Sequence, residues 1–113
     1  MSDTPQIDVT ALADDAPLLD VREPDEWRAG HASGATHIPM RDVPARPAEL
    51  AHVAEAAGGT LPVICRSGNR SGQVVAWLTQ QGYDVTNVVG GMQAWERAGK
   101  AMVSESGQPP TVA

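Results

Sequence analysis

The residue best suited to chemistry is Cys65, the only cysteine among 113 residues. It opens the segment Cys-Arg-Ser-Gly-Asn-Arg-Ser, in which Arg66 and Arg70 place two positive charges near the sulfur. Gly68 permits a tight turn, so that backbone N–H groups can curl inward around an anion. Nearby cations and N–H donors favour thiolate over thiol. The segment therefore predicts a nucleophilic cysteine with a pKa below that of a free cysteine.

The flanking sequence predicts a strand before this segment and a helix after it. An apolar run at 61–64 leads into Cys65, and apolar residues recur with helical spacing from about 71 to 81. This order places the thiol at the carboxyl end of a strand, where open parallel sheets bind ligands. It also places the thiol under the first N–H groups of a helix, whose dipole favours negative charge. A cysteine that only packs in the core is the alternative, but it needs neither flanking arginines nor a loop glycine.

The rest of the chain alternates short apolar strands with helical segments, which predicts a small, doubly wound, mostly parallel α/β sheet. Strands are expected near 6–7, 18–21, 36–38, 61–64 and 88–89, and helices near 9–13, 24–30, 48–57, 71–81 and 91–98. The three tryptophans occupy helix positions that are expected to face the sheet: Trp27, Trp77 and Trp95. One domain over residues 6–103 is predicted, between a flexible N-terminus (1–5) and a flexible tail (104–113).

Composition and charge narrow the functional classes. The net charge of −6 argues against a nucleic-acid partner, which needs a basic surface. No apolar run approaches membrane-spanning length, and the N-terminus lacks a signal-peptide pattern. A single cysteine excludes an internal disulfide. A free reactive thiol suits a reducing compartment, so a cytoplasmic protein without a membrane partner is expected.

Other polar residues receive structural interpretations. The histidines at 31, 37 and 52 show no ligand spacing, so no metal site is predicted. The acidic residues at 23–26 fit the positive N-terminus of a short helix better than paired-carboxylate catalysis. Neither group competes with Cys65 as the predicted reactive centre.

Three stretches resemble the rhodanese family of sulfurtransferases. The first is the loop Cys65-Arg66-Ser67-Gly68-Asn69-Arg70-Ser71. The second contains Leu19-Asp20-Val21-Arg22-Glu23, Glu26-Trp27, Gly30-His31, Gly34-Ala35 and Ile38-Pro39. The third is Gly90-Gly91-Met92-Gln93-Ala94-Trp95. Ala32 and Ser33 depart from the family pattern, in which isoleucine and often proline are common. The resemblance covers roughly residues 6–103 and implies a five-stranded parallel sheet with helices on both faces.

Loop length separates this segment from a related cradle. Cysteine-dependent phosphatases have one more residue between cysteine and arginine, and Ser71 stands at that phosphatase position here. A loop one residue shorter predicts a smaller pocket, which suits one sulfur better than a tetrahedral phosphate. The sequence therefore favours sulfur transfer over phosphoryl transfer.

The resemblance implies an enzyme of the thiosulfate:cyanide sulfurtransferase type. The Cys65 thiolate would attack thiosulfate or a similar small anionic donor, carry the sulfur as a persulfide, and pass it to cyanide or a thiol. No metal or organic cofactor is required. The residues expected to bind substrate through the loop are Arg66, Ser67, Gly68, Asn69 and Arg70.

Two supporting residues are expected near the loop. Arg70 either binds substrate or pairs with a carboxylate at a neighbouring strand end, for which Asp20 is the candidate. Asp20 could instead cap the next turn. Arg22 is expected to add positive potential near the pocket mouth.

Two further functions share this site. A sulfur carrier would take the persulfide from a protein donor and pass it to a protein acceptor. A non-catalytic regulatory domain would keep the fold without the chemistry, and the presence of Cys65 counts against that reading.

Overall fold

The computed structural model describes residues 4–113, in which short strands alternate with helices. The strands are β1 (Gln6–Ile7), β2 (Leu18–Asp20), β3 (His31–Ala32), β4 (Ala35–His37), β5 (Leu61–Ile64), β6 (Val85–Val88) and β7 (Met102–Val103). The helices are α1 (Pro24–Ala29), α2 (Pro47–Ala57), α3 (Asn69–Gln80) and α4 (Gly91–Arg97), and 3-10 helices span Val9–Ala11 and Met40–Ala45.

Five of these strands form one parallel sheet in the order β1-β6-β5-β2-β4. The strand that precedes Cys65, β5, lies at the centre, with β2 on one side and β6 on the other. The predicted five-stranded parallel α/β sheet is therefore confirmed. A separate antiparallel pair, β3 with β7, was not predicted from the sequence.

Apolar side chains fill both faces of the sheet. Against one face, α2 and α3 pack with residues that include Leu50 and Val75. Against the other face, α4 and the first 3-10 helix pack with residues that include Val9 and Trp95. Burying both faces explains why the central strand β5 is a continuous apolar run, with one layer packed on each side of it.

The tryptophans do not all lie where the pattern predicted. Trp95 is fully buried, and its indole N–H donates to the carbonyl oxygen of Ala101 at 3.0 Å. Trp77 is 39% exposed, because Val74, Val75 and Leu78 already form the buried face of α3. The core position predicted for Trp77 is therefore wrong. The core position predicted for Trp27 is also wrong, since Trp27 is half-buried and stacks on the imidazole rings of His31 and His37, with ring centroids 3.4 Å and 4.8 Å away.

The C-terminal residues fold back along α1. The backbone N–H of Glu105 donates to the carbonyl of Arg28 at 3.0 Å, and that of Thr111 donates to the carbonyl of Ala29 at 2.9 Å. Val112 packs on the cluster that contains Trp95. These contacts do not measure motion, so the flexibility of segment 104–113 stays a prediction. At the other end, residues 1–3 of the predicted flexible stretch 1–5 lie outside the described residues.

Candidate active site

The end of β5, the loop and the start of α3 hold Cys65 in a fixed frame. Cys65 is 1% exposed, and Gly68 directly precedes α3 with a φ of 109°, a left-handed conformation that suits glycine. Two backbone hydrogen bonds from the first turn of α4 hold the loop that begins at Cys65. There the N–H of Met92 donates to the carbonyl of Cys65 at 2.8 Å, and the N–H of Gln93 donates to that of Arg66 at 3.0 Å.

The glycine pair Gly90–Gly91 at the start of α4 explains how the cysteine loop and α4 approach each other so closely. Gly91 has a φ of 56°, and a Cβ there would lie 2.4 Å from the carbonyl oxygen of Cys65 and 2.7 Å from that of Arg66. Any side chain would therefore push the loop away from α4. The Gly-Gly motif is thus part of the site, because it sets the position of the nucleophile.

Hydrogen-bond donors surround the sulfur. The backbone N–H of Gly68 lies 3.0 Å from Sγ, and the hydroxyl of Ser71 lies 3.2 Å from it. Burial raises the pKa of Cys65. The hydroxyl of Ser71 and the backbone N–H groups of Ser71, Gly68 and Ser67 lower this pKa by more than burial raises it. The net effect is a pKa below the ordinary value, so the site favours a thiolate.

Arg70 pairs with Glu26, which corrects the predicted partner Asp20. Its two terminal nitrogens lie 2.7 Å and 2.9 Å from the carboxylate oxygens of Glu26, so α3 is tied to α1 by a bidentate ion pair. The hydrogen bond from Arg70 is the main reason that the pKa of Glu26 falls to about 2. Glu26 in turn raises the pKa of Arg70, and the charge of Arg70 also acts on the Cys65 sulfur.

Asp20 pairs instead with its near neighbour Arg22. The Nη2 of Arg22 lies 2.8 Å from Asp20 and also donates to the carbonyl of Gly30 at 2.7 Å, and both charged side chains are fully buried. Asp20 accepts the backbone N–H of Arg22 at 3.0 Å as well, because only one residue separates the two. The expectation that Arg22 adds positive potential at the pocket mouth is wrong, since its charge is buried and paired.

The remaining loop residues face outward. Arg66, Ser67 and Asn69 are exposed, and the Nε of Arg66 donates to the carbonyl of Ala113 at 3.0 Å. Arg66 therefore lies at the surface beside the buried sulfur, where an anionic ligand can reach it.

Three residues of this site were not predicted from the sequence. Ser71 bonds the sulfur, Asn87 on β6 bonds Ser71, and Glu26 holds Arg70. The hydroxyl of Ser71, within the motif itself, was a signal that could have been used. The only sign of Asn87 was a polar residue in an apolar stretch, and Glu26 had been assigned to the helix dipole alone.

The histidines have structural contacts. The Nε2 of His31 lies 3.1 Å from the carboxylate of Glu105, and the Nε2 of His37 donates to the carbonyl of Arg22 at 2.7 Å. Within residues 4–113, no three His, Cys, Asp or Glu side chains are grouped so that they could hold a metal ion. Over the same part of the chain, no helix combines the length and the apolar character needed to cross a bilayer.

The chain is similar in sequence and in fold to known proteins. A sulfurtransferase of Allochromatium vinosum is 38% identical over 98 residues, which cover 86% of this chain and 87% of that protein. The thiosulfate sulfurtransferase GlpE of Pseudomonas entomophila is 33% identical over 93 residues, which cover 81% of each chain. The crystal structure of a rhodanese-related protein from Thermoplasma volcanium superposes with a TM-score of 0.72 at 30% identity, covering 88% of this chain and 97% of that one.

A family model described as Rhodanese-like domain matches residues 6–98, which contain the whole five-stranded sheet and all four helices. The matched region contains the cysteine loop, the Glu26–Arg70 pair and the glycine pair at the start of α4. This chain therefore belongs to the rhodanese-like domain family.

Proposed function

We propose that this protein is a sulfurtransferase that moves a sulfane sulfur from thiosulfate, or a similar anionic donor, to cyanide or a thiol. The observation that carries the proposal is the sulfur of Cys65, the only cysteine of the chain, which lies 3.0 Å from the backbone nitrogen of Gly68 and 3.2 Å from the hydroxyl oxygen of Ser71. A thiolate stabilised in this way is a competent nucleophile without a metal or organic cofactor.

The first half of the reaction loads the sulfur. The Cys65 thiolate attacks the outer sulfur of thiosulfate, a bond forms between the two sulfurs, and the sulfur–sulfur bond of the donor breaks. Sulfite leaves with the electron pair of that bond. The outer sulfur of the resulting persulfide carries the negative charge. We assign its stabilisation to the backbone N–H groups of Ser67, Gly68, Asn69 and Arg70.

The second half releases the sulfur to an acceptor. Cyanide attacks the outer sulfur, a carbon–sulfur bond forms, and Cys65 leaves as a thiolate with the electron pair. The products are thiocyanate and the starting enzyme, so neither an oxidant nor a reductant is consumed. A thiol acceptor takes the sulfur in the same way, as would a protein thiol in the cytoplasm, where the free cysteine stays reduced.

The test is thiocyanate formation from thiosulfate and cyanide, followed as a function of both concentrations. We expect saturation in thiosulfate and parallel lines in double-reciprocal plots, because the donor product leaves before the acceptor binds. Cys65→Ser is the matched control, since it removes the only thiol and leaves a hydroxyl of similar size.

Three results would separate the alternatives. No thiocyanate from folded, reduced protein would refute the thiosulfate proposal. Rapid loading from a persulfidated protein under the same conditions would then favour a carrier of sulfur between proteins. Hydrolysis of an aryl phosphate that is lost in Cys65→Ser would instead favour phosphatase chemistry.

A further inference from the structure

The hydroxyl of Ser71 lies between two groups that can each accept its proton. Its Oγ is 3.2 Å from the Cys65 sulfur and 2.5 Å from the side-chain oxygen Oδ1 of Asn87. Ser71 is fully buried and Asn87 is 7% exposed, so bulk water does not compete freely for either contact. A hydroxyl has one proton to donate. Ser71 can therefore donate to the sulfur or to Asn87, but not fully to both.

The orientation of the Asn87 amide follows from its other contact. Its Nδ2 lies 3.1 Å from the carbonyl oxygen of Gly68, which can only accept a hydrogen bond. The amide nitrogen must therefore face Gly68, and the amide oxygen must face Ser71. Since an amide oxygen is also only an acceptor, the short contact between the two oxygens requires the Ser71 proton to lie between them.

The charge on the sulfur decides whether this arrangement is the best one. A neutral thiol carries its own proton and can donate it to the lone pairs that Ser71 turns toward it. A thiolate has no proton, so it gains from the hydroxyl only if Ser71 turns its proton away from Asn87. A charge-assisted hydrogen bond is stronger than a neutral one, which makes that rotation favourable once the sulfur is ionised.

We propose that Ser71 and Asn87 form a hydrogen-bond switch that follows the charge on Cys65, with Asn87 as a positioning residue. Ser71 donates to Asn87 while Sγ is uncharged and to Sγ while it is a thiolate. Asn87 has a second task, because its amide nitrogen binds the carbonyl oxygen of Gly68, the residue whose own backbone N–H contacts the sulfur. Asn87 thus contacts both residues that offer a hydrogen-bond donor to the sulfur, Ser71 and Gly68.

The switch has a consequence for sulfur transfer, which rests on the proposed function. In the persulfide, Sγ is bonded to a second sulfur and the negative charge lies on the outer atom. Ser71 then returns its proton to Asn87. The competition by Asn87 therefore keeps the free thiolate from being overstabilised relative to the loaded form, which preserves the nucleophilicity that falls as thiolate stabilisation grows.

Other charges near the sulfur stay constant in the variants that test this proposal. Arg70 on α3 acts on the sulfur and is held by Glu26 on α1. Asp20 and Arg22, on the β2 side, pair with each other. Arg66 in the loop bonds the C-terminal segment. None of these groups contacts Ser71 or Asn87 through a hydrogen bond of the described structure, so their effects cancel in a mutant cycle.

The test is a double-mutant cycle of Ser71→Ala and Asn87→Ala, read by iodoacetamide alkylation of Cys65 from pH 5 to 10. Each rate is divided by its plateau at high pH, so the ratio reports the thiolate fraction and not access to the sulfur. We expect Ser71→Ala to lower this fraction about tenfold at pH values below the transition, because it removes a donor to a charged group.

The decisive quantity is the effect of Asn87→Ala with and without Ser71. Two ratios are compared: the thiolate fraction of Asn87→Ala divided by that of wild type, and the thiolate fraction of the double variant divided by that of Ser71→Ala. The switch predicts that the first ratio is at least threefold higher than the second. Equal effects in the two backgrounds, or the opposite order, would overturn the proposal.

The controls distinguish an effect of the switch from an effect of misfolding, and they do not depend on whether the protein transfers sulfur. Thr86→Val alters the neighbouring buried polar residue on β6 and is expected to leave the alkylation profile unchanged. Asn87→Leu, which keeps the branched arrangement of four side-chain heavy atoms and removes both polar groups, replaces the alanine variant if circular dichroism shows that the latter is unfolded. Because alkylation needs no sulfur donor, the switch can fail while sulfur transfer is observed, and the reverse.

Discussion

The ion pair between Glu26 and Arg70 gives the sharpest prediction about what holds the loop. Glu26→Gln keeps the shape of the side chain and removes its charge. In the folded protein Arg70 holds the pKa of Glu26 at about 2, below the ordinary value of 4.5 for a glutamate side chain. A difference of one pKa unit corresponds to about 1.4 kcal/mol, so the contribution of the pair to the free energy of unfolding has an upper limit of about 3.5 kcal/mol. Since the Arg70 side chain is 31% exposed, solvent screens part of this energy, and we expect a loss of about 1–2 kcal/mol at pH 7.

The pH dependence has a definite sign. The pKa of Glu26 is lower in the folded than in the unfolded state, so its stabilising contribution is complete above pH 4.5 and is lost as the pH falls toward 2. The difference in unfolding free energy between wild type and Glu26→Gln should therefore be constant near neutrality and shrink through this window. Urea unfolding, followed by tryptophan fluorescence at several pH values from 7 to 2.5, measures it.

A matched control separates this pair from ordinary surface charges. Glu49→Gln breaks a contact with Arg46 at 3.6 Å in which both side chains are largely exposed, so we expect a change below about 0.5 kcal/mol. If Glu26→Gln were as stable as this control, or if its deficit did not depend on pH between 4.5 and 2, the reasoning about the pair would be refuted.

Three further predictions concern the loop mouth, the glycine pair and the core. Arg66→Ala should raise the KM for thiosulfate several-fold with a smaller change in kcat, because Arg66 is exposed beside the sulfur; an unchanged KM would remove it from donor binding. Gly91→Ala should destabilise the fold by about 2 kcal/mol or more, measured by thermal unfolding, since its Cβ would lie 2.4 Å from the carbonyl oxygen of Cys65; unaltered stability would contradict that contact. Trp95→Ala should cost about 3–5 kcal/mol in urea unfolding, while Trp77→Gln should cost less than about 1 kcal/mol; similar losses would mean that Trp77 is also a core residue.

Local sequence was enough to predict the element that carries the nucleophile. The run 61–64 was predicted as a strand, and β5 has those bounds. The run is followed by the lone cysteine and by a loop with a glycine and two arginines, and this order favours a buried strand that leads into a reactive loop. The helix after the loop was predicted from about residue 71 but begins at Asn69, because its first turn belongs to the polar loop and has no apolar spacing to reveal it.

The partners of the loop could not be predicted in the same way. Glu26 and Arg70 are 44 residues apart, and their pairing depends on how α1 and α3 lie relative to each other. The local preference of an acid for a helix N-terminus hid the second role of Glu26. Thr86 and Asn87 likewise interrupt the apolar pattern of β6, so the strand was predicted only at 88–89, although it begins at Val85. Glu26 and Asn87 belong to the site, and Thr86 is next to Asn87, so the polar residues that were hardest to interpret from the sequence lie at the site or beside it.

The most direct test of the central claim is the intact mass of the protein after incubation with thiosulfate, and again after cyanide is added. The account predicts that wild type gains the mass of one sulfur atom, about 32 Da, and loses it as thiocyanate appears, since the sulfur is carried as a covalent intermediate. Cys65→Ser should gain nothing under the same conditions. Thiocyanate formation by the wild type without any covalent sulfur on Cys65, or the same gain in Cys65→Ser, would contradict the persulfide mechanism.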